Sequence, residues 1–209
     1  LVSMPTSRLV TVRDPLASVR RALETPHAPS SDYDLNPDAV LPTGRRLRPA
    51  AVLVGILCNG GTARLFLTKR SSALKHHPGQ VAFPGGKKDD GDTDITAAAL
   101  REAREEIGLD PGNVEILGCM PAHETVTGFE VTPVVARVRS AFKPVPEAGE
   151  VEEIFEVPLA HILDPDLYSV QARRWRGTWR RYYTVPFGPY YIWGATARIL
   201  RALAGGGRA

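Results

Sequence analysis

Apolar residues cluster in short runs with β-strand character. AVLVGIL at 51–57 and ARLFLTKR at 63–70 read as two strands joined across Asn59-Gly60-Gly61, a hairpin turn signal. Val114–Cys119 and Val131–Val138 read as further strands, the second rich in β-branched residues. FEVPLAHIL at 155–163 has the look of a strand end running into a short helix. Between them AAALREAREE, capped by Asp94 and stopped by Gly108 and Pro111, predicts a helix. Tyr168–Trp175 and Thr178–Pro186 flank Gly177 as a second hairpin, and Ile192–Leu203 carries a helical period. Strands and helices interleave, yet the hairpins exclude a purely parallel sheet. The pattern therefore predicts an α+β (mixed α/β) fold, a mixed sheet covered by helices.

Residues 1–47 look peripheral, an N-terminal extension packing on a core domain at 48–209 that includes the hairpin and the last helix. Asp14–Leu23 suggests one short helix, and Pro26–Asp38 a connector rich in Pro, Ser and Asp. Met4 is a candidate start, and a Gly-rich tail is the one low-complexity segment.

At 209 residues the chain is long enough for a sizeable core. Its net charge of +3 favours anionic partners without choosing between nucleic acid and a phosphorylated metabolite. Cys58 and Cys119 stand at no metal-ligand or redox spacing. Cys58 ends an apolar run and reads as a buried thiol, and a cytoplasmic setting fits both. That run is too short to span a bilayer, and the N-terminus lacks a signal-peptide pattern, so no membrane partner is expected.

The chemistry concentrates in R101-E-A-R-E-E-I-G108. Glu102, Glu105 and Glu106 at i, i+3 and i+4 share one helix face, where like charges repel by about 0.2–0.5 kcal/mol per pair. A divalent cation removes that penalty, and clustered hard oxygens suit Mg²⁺ or Mn²⁺. Arg101, one turn before Glu105, can hold that carboxylate. Opposite them Ile95, Ala99, Ala103 and Ile107 form an apolar strip for docking on the sheet. A solvated surface helix would also tolerate E-x-x-E-E. The Gly85-Gly86 pair upstream shifts the balance, because glycine lets backbone approach a metal or phosphate closely.

The stretch FPGGKKDDGDTDITAAALREAREEIGL at 83–109 resembles the Nudix box, the signature of the Nudix hydrolases. Its second half matches with Ala103 in the aliphatic place. Its first half departs, since Asp92 stands where glutamate is expected and Arg101 comes one residue late. Either the loop has gained a residue or Asp92 supplies a shortened carboxylate. The resemblance implies a Nudix-type mixed β-sheet sandwiched between helices and a metal-dependent diphosphatase. Glu102 and Glu106 would be the leading metal ligands, with Glu105 joining directly or through water and the Gly86 carbonyl adding a further donor. Catalytic roles would fall to Glu105, Glu102 and Arg101. The general base stays open among Glu105, Glu102 and the downstream acids Glu124, Glu150, Glu152 and Glu153.

Upstream, LTKRSSALKHHPGQVAFPGG at 67–86 resembles the additional signature of coenzyme A pyrophosphatases, as do 128–136, 150–159 and 191–200. The resemblance implies a small-molecule substrate, coenzyme A or a related nucleotide diphosphate. Lys69, Arg70, His77, Gln80, Phe83 and Gly85 would contact it, and Lys69, Arg70, Lys75 and His77 would read its 3′-phosphate. Alternatives are a Nudix hydrolase for ADP-ribose, NADH or a nucleoside triphosphate, and a non-catalytic nucleotide-binding module. The intact R-E-x-x-E-E core ranks that module last. RRWRGTWRR at 173–181 alternates Arg with Trp. A ribbon with inward-packed Trp residues is its expected form, ahead of a substrate arm or homodimer contact, with single-stranded nucleic acid least favoured.

Overall fold

The computed structural model describes residues 14–205, so Met4 and the end of the Gly-rich tail lie outside it. In chain order the elements are α1 (Ala17–Glu24), β1 (Ser30–Ser31), β2 (Arg48–Asn59), β3 (Thr62–Arg70), β4 (Val81–Ala82) and β5 (Gly85–Lys87). Then come α2 (Ile95–Ile107), β6 (Val114–Cys119), β7 (His123–Glu124), β8 (Phe129–Val138), β9 (Val151–Pro158) and α3 (Leu159–Ile162). The hairpin strands β10 (Ser169–Trp175) and β11 (Thr178–Thr184) and the helix α4 (Gly194–Leu203) complete the described chain.

The main sheet runs β1-β7-β8-β2-β3-β4, with β5 also on β2, β6 on β8 and β9 on β3. Its centre is the long parallel pair β2–β8, from Arg48↔Phe129 to Leu57↔Val138. Most other pairings are antiparallel, so the sheet is mixed, as the hairpins predicted. Alternation along β2 sends successive residues to opposite faces. Ala51 and Leu53 join Ala99, Ala103 and Ile107 of α2 in one core layer. Val54 and Ile56 join Val19 of α1 and Ile199, Leu200 and Leu203 of α4 in the other. The sheet is thus covered on both faces.

Helix α2 forms where its sequence signals place it. The Asp94 carboxylate accepts from the Ala97 N–H at 2.7 Å and caps the start. Gly108 closes the end in the left-handed region at φ 71°, where a side chain would be strained. The last helix differs from expectation. It begins at Gly194 rather than Ile192, because the Ile192 carbonyl accepts from Val185 N–H and from the Thr184 hydroxyl in extended backbone.

The segment at 30–32 docks on the core through a buried polar link. Ser30 Oγ and His123 Nδ1 lie 2.9 Å apart, and His123 Nε2 lies 3.0 Å from Asp32 Oδ1. Asp32 Oδ2 accepts from the Val126 N–H at 2.8 Å, so a fully buried imidazole and its carboxylate are both satisfied.

Candidate functional site

The glycine segment is a short strand. β5 pairs with β2 inside the main sheet, Gly85 opposite Val52 and Gly86 opposite Ala51, and Gly86 meets Glu102 of α2. Both glycines are forced by space rather than by φ. A Cβ on Gly85 would sit 2.3 Å from the Ala51 carbonyl oxygen, and one on Gly86 would sit 2.4 Å from Glu102 Oε1. The backbone here lies flush against a carboxylate, which only an absent side chain permits.

Two of the three carboxylates turn inward. Glu106 is 4% exposed and accepts from the Gly85 N–H at 3.1 Å. Glu102 has a side chain only 16% exposed and stands against Gly86. Burial pushes the Glu106 carboxyl up to about 8, and the nearby charges of Glu102 and Glu150 push the same way, against the Gly85 N–H and Arg70. Glu102 is also raised, first by burial, with Arg101 opposing and Glu105 and Glu150 adding to it. Glu105 does not join them. Its side chain is 57% exposed and accepts from Arg101 Nη1 at 3.2 Å. The three-carboxylate face expected from the spacing is therefore an inward pair and an outer flank. Among the described residues no group of three or more acids, histidines or cysteines is drawn together tightly enough for a metal ion. The inward pair beside the Gly86 backbone is a hard-oxygen set whose mutual repulsion a divalent cation would relieve, and in chemistry it fits Mg²⁺ or Mn²⁺.

Arg101 organises the site's rim. It grips Asp92 with both ends of its fork, Nε to Oδ1 and Nη2 to Oδ2, each at 3.0 Å. It also donates to Glu102 at 3.0 Å and to the Lys87 carbonyl at 3.0 Å. The Asp92 carboxyl is held below its ordinary value, first by Arg101 and then by the Asp89 N–H. Asp92 thus serves as an anchor for the arginine that steadies Glu102 and Glu105. Spacing alone did not reveal this pairing. Asp89, 3.5 Å from Arg101, is a further partner unnoticed in the sequence, where the D-D-G-D run was the available signal.

The upstream loop divides by role. Arg70 acts on Glu106 through its charge, and its Nε is buried with no hydrogen-bond partner among the described residues. A buried guanidinium N–H without a protein acceptor is chemically suited to an anionic oxygen. Gly79 N–H and Gln80 carbonyl pair with the Arg70 backbone at 3.1 and 2.9 Å and fix it. His77 sits at the exposed edge with φ 53°, its pKa lowered first by partial desolvation and then by Arg70. Lys69 is already bonded to Glu152 at 2.8 Å. Phe83 is buried in the core with Val81 and Leu67, so it supports the loop from beneath and has no open face for a ligand. Of the downstream acids, Glu124 pairs with Arg45, Glu152 with Lys69 and Glu153 with Tyr190. Glu150 alone of the four registers on both inward carboxylates.

The Trp residues of the hairpin do not pack inward. Trp179 is 67% exposed, and Trp175 is flanked by Arg176 and Arg180, each 4.4 Å from its ring centroid. Nearly every β10 residue faces solvent, and the inner side of β11 is taken by Tyr182, Tyr183 and Thr184 rather than by an indole.

The sheet-bound glycine segment and the carboxylate helix lie within residues 47–176, which match the family model described as NUDIX domain. The chain belongs to the Nudix hydrolase family. It is 43% identical over 157 residues to the protein named uncharacterized Nudix hydrolase NudL of Escherichia fergusonii, covering 75% of this chain and 81% of that one. With the protein of the same name from Klebsiella pneumoniae it shares 40% identity over 185 residues, 83% of this chain and 96% of the other. Among solved structures it is similar to the Nudix hydrolase RenU of M. smegmatis, at 26% identity and a TM-score of 0.47, covering 55% of this chain and 72% of that one. No helix of the described residues is long and apolar enough to cross a membrane.

Proposed function

We propose that this chain hydrolyses the diphosphate of coenzyme A or an acyl-coenzyme A, giving 3′,5′-ADP and 4′-phosphopantetheine or its acylated form, with Mg²⁺ or Mn²⁺ as cofactor in the cytoplasm. The observation that carries the hydrolytic reading is the seating of Gly85 and Gly86 against the inward pair Glu106 and Glu102, with the unpartnered Arg70 Nε alongside. The choice of coenzyme A rests on the likeness of residues 67–86 to the signature of its pyrophosphatases.

Glu102, Glu106 and the Gly86 carbonyl would hold the metal, which when bound supplies charge neutralisation and a more acidic water. Arg70 binds the diphosphate oxygens and holds them over the carboxylates. Arg101, locked to Asp92, keeps Glu102 in one rotamer and Glu105 in reach of the rim. Glu105 and Glu150 are the acids left to accept the proton of the attacking water. Gln80 and Gly79 set Arg70, and His77 borders the opening. The partner in this reading is a small anionic molecule.

A substrate panel run in ¹⁸O-labelled water tests it. Coenzyme A, acetyl-coenzyme A, ADP-ribose, NADH and dGTP are compared with Mg²⁺, with Mn²⁺ and after EDTA. Coenzyme A and its thioester should react fastest, the label should enter a phosphate, the thioester should survive, and EDTA should stop turnover. A faster ADP-ribose, NADH or dGTP would leave the diphosphatase and remove the coenzyme A assignment. Full activity after chelation would remove the metal.

A further inference from the structure

A cavity of about 1130 Å³ lies between the extension at 33–47 and the β10–β11 hairpin. Five arginines reach its lining, Arg45, Arg46, Arg176, Arg180 and Arg181, against one acid, Asp38. Only Arg45 of the five is in an ion pair among the described residues, with Glu124. Cations gathered without carboxylates repel one another unless an anion joins them.

Two further observations give the ligand a flat apolar part. The Trp179 indole lines the cavity yet is 67% exposed, an area of aromatic surface that water covers poorly. Beside it the Arg180 guanidinium lies 4.4 Å from the Trp175 centroid and 5.7 Å from that of Tyr33, in stacked cation–π contact. The walls are tied together. The Asn36 side chain accepts from the Arg181 N–H at 2.8 Å and donates to its carbonyl at 2.9 Å, as a strand neighbour would. An aromatic ring with a phosphate attached is the chemistry this arrangement receives.

The cavity is also within reach of the catalytic helix. Leu47 lines it, and Ala51, four residues along β2, pairs with Gly86. At about 3.3 Å per strand residue that is roughly 13 Å. An extended nucleoside diphosphate spans such a gap. In the loop at 67–86, meanwhile, Lys69 is bonded to Glu152 and Arg70 stands by Glu106, which leaves Lys75 as its remaining lysine or arginine.

We infer that this cavity takes the 3′-phosphorylated adenosine half of the substrate, its base on Trp179 and its 3′-phosphate on Arg46 and neighbouring arginines. The inference rests on coenzyme A being the substrate. It moves recognition of the 3′-phosphate from the 67–86 loop to the extension and hairpin.

The test titrates adenosine 3′,5′-bisphosphate into the full chain without metal, read by tryptophan fluorescence and calorimetry, for wild type, Arg46→Ala, Arg46→Lys and Trp179→Ala. Both positions are exposed, and circular dichroism melts check that the variants stay folded. Wild type should bind, and Arg46→Ala and Trp179→Ala should each weaken binding about tenfold or more, the scale of one charged hydrogen bond or one stacked ring. Arg46→Lys should recover part of the loss. Adenosine 5′-monophosphate should bind more weakly and be indifferent to Arg46→Ala. In turnover, Arg46→Ala should raise KM for coenzyme A about tenfold and far less for dephospho-coenzyme A.

Equal bisphosphate binding by wild type and all folded variants, with coenzyme A still hydrolysed, overturns the cavity assignment and leaves the activity standing. Binding that depends on Arg46 and Trp179 in a chain that does not hydrolyse coenzyme A supports a nucleotide site here and overturns the activity. A single-stranded DNA oligonucleotide that binds more tightly than the bisphosphate, and loses affinity in the same variants, overturns the small-ligand assignment.

Discussion

Glu106→Gln in the metal-free protein should change the pH dependence of stability, and the sign follows from the direction of its pKa. The group moves from an ordinary 4.5 to about 8 on folding, chiefly by burial. Between those values the folded chain holds a proton that the unfolded chain has released. Stability is therefore full below about pH 4.5, falls as pH rises toward 8, and levels off above it. A tenfold change in acidity is worth about 1.4 kcal/mol, so the ceiling is about 5 kcal/mol. Local relaxation and water entry reduce it, and about 2–4 kcal/mol is expected between pH 5 and pH 8.5. Glutamine keeps the acceptor for the Gly85 N–H and does not titrate, so the variant lacks this component. The assay is urea denaturation of both proteins in EDTA across that range, compared by difference. Adding Mg²⁺ should stabilise wild type most at high pH and the variant little, while turnover of the variant drops roughly 10²-fold or more. Parallel stability curves for the two proteins would refute the reasoning.

The glycine pair should separate folding from chemistry. Gly85→Ala drives a Cβ into the backbone of β2 at Ala51 and Val52, so thermal melts should show a loss of about 3 kcal/mol or more. Gly86→Ala meets the end of the flexible Glu102 side chain, so the melt should change little while kcat falls roughly 10²-fold. Asp92→Asn weakens the grip on Arg101 but leaves its bonds to Glu102, Glu105 and the Lys87 carbonyl, so kcat should fall about tenfold. A loss larger than that of Glu106→Gln would make Asp92 a ligand rather than an anchor.

Much of this was readable because local signals and global packing agree. The α2 boundaries followed from Asp94 and Gly108, and its apolar strip became the contact with the sheet. Other features were not readable, for different reasons. Helical spacing groups Glu105 with Glu102 and Glu106, yet burial depends on where the sheet edge falls across that face, and Glu105 lies beyond it. Phe83 stands in a motif whose sequence does not separate exposed positions from packing ones, and only depth distinguishes them. The orientation of the hairpin tryptophans could not be inferred from alternation, since a two-stranded ribbon standing off the main sheet has no predetermined inside.

The polar link from Ser30 and Asp32 to His123 bears on what can be cut away. The family match ends at residues 47 and 176, a tempting pair of termini for a minimal enzyme. Such a fragment would strand a buried imidazole with neither of its partners, and would remove Val19, Leu200 and Leu203 from the layer beneath Val54 and Ile56. Polar atoms left unsatisfied and an apolar sheet face laid bare are the usual origins of insoluble fragments. The unit that folds is therefore expected to be larger than the stretch that carries the family's signature, with the outlying residues belonging to its architecture as fully as α2 does.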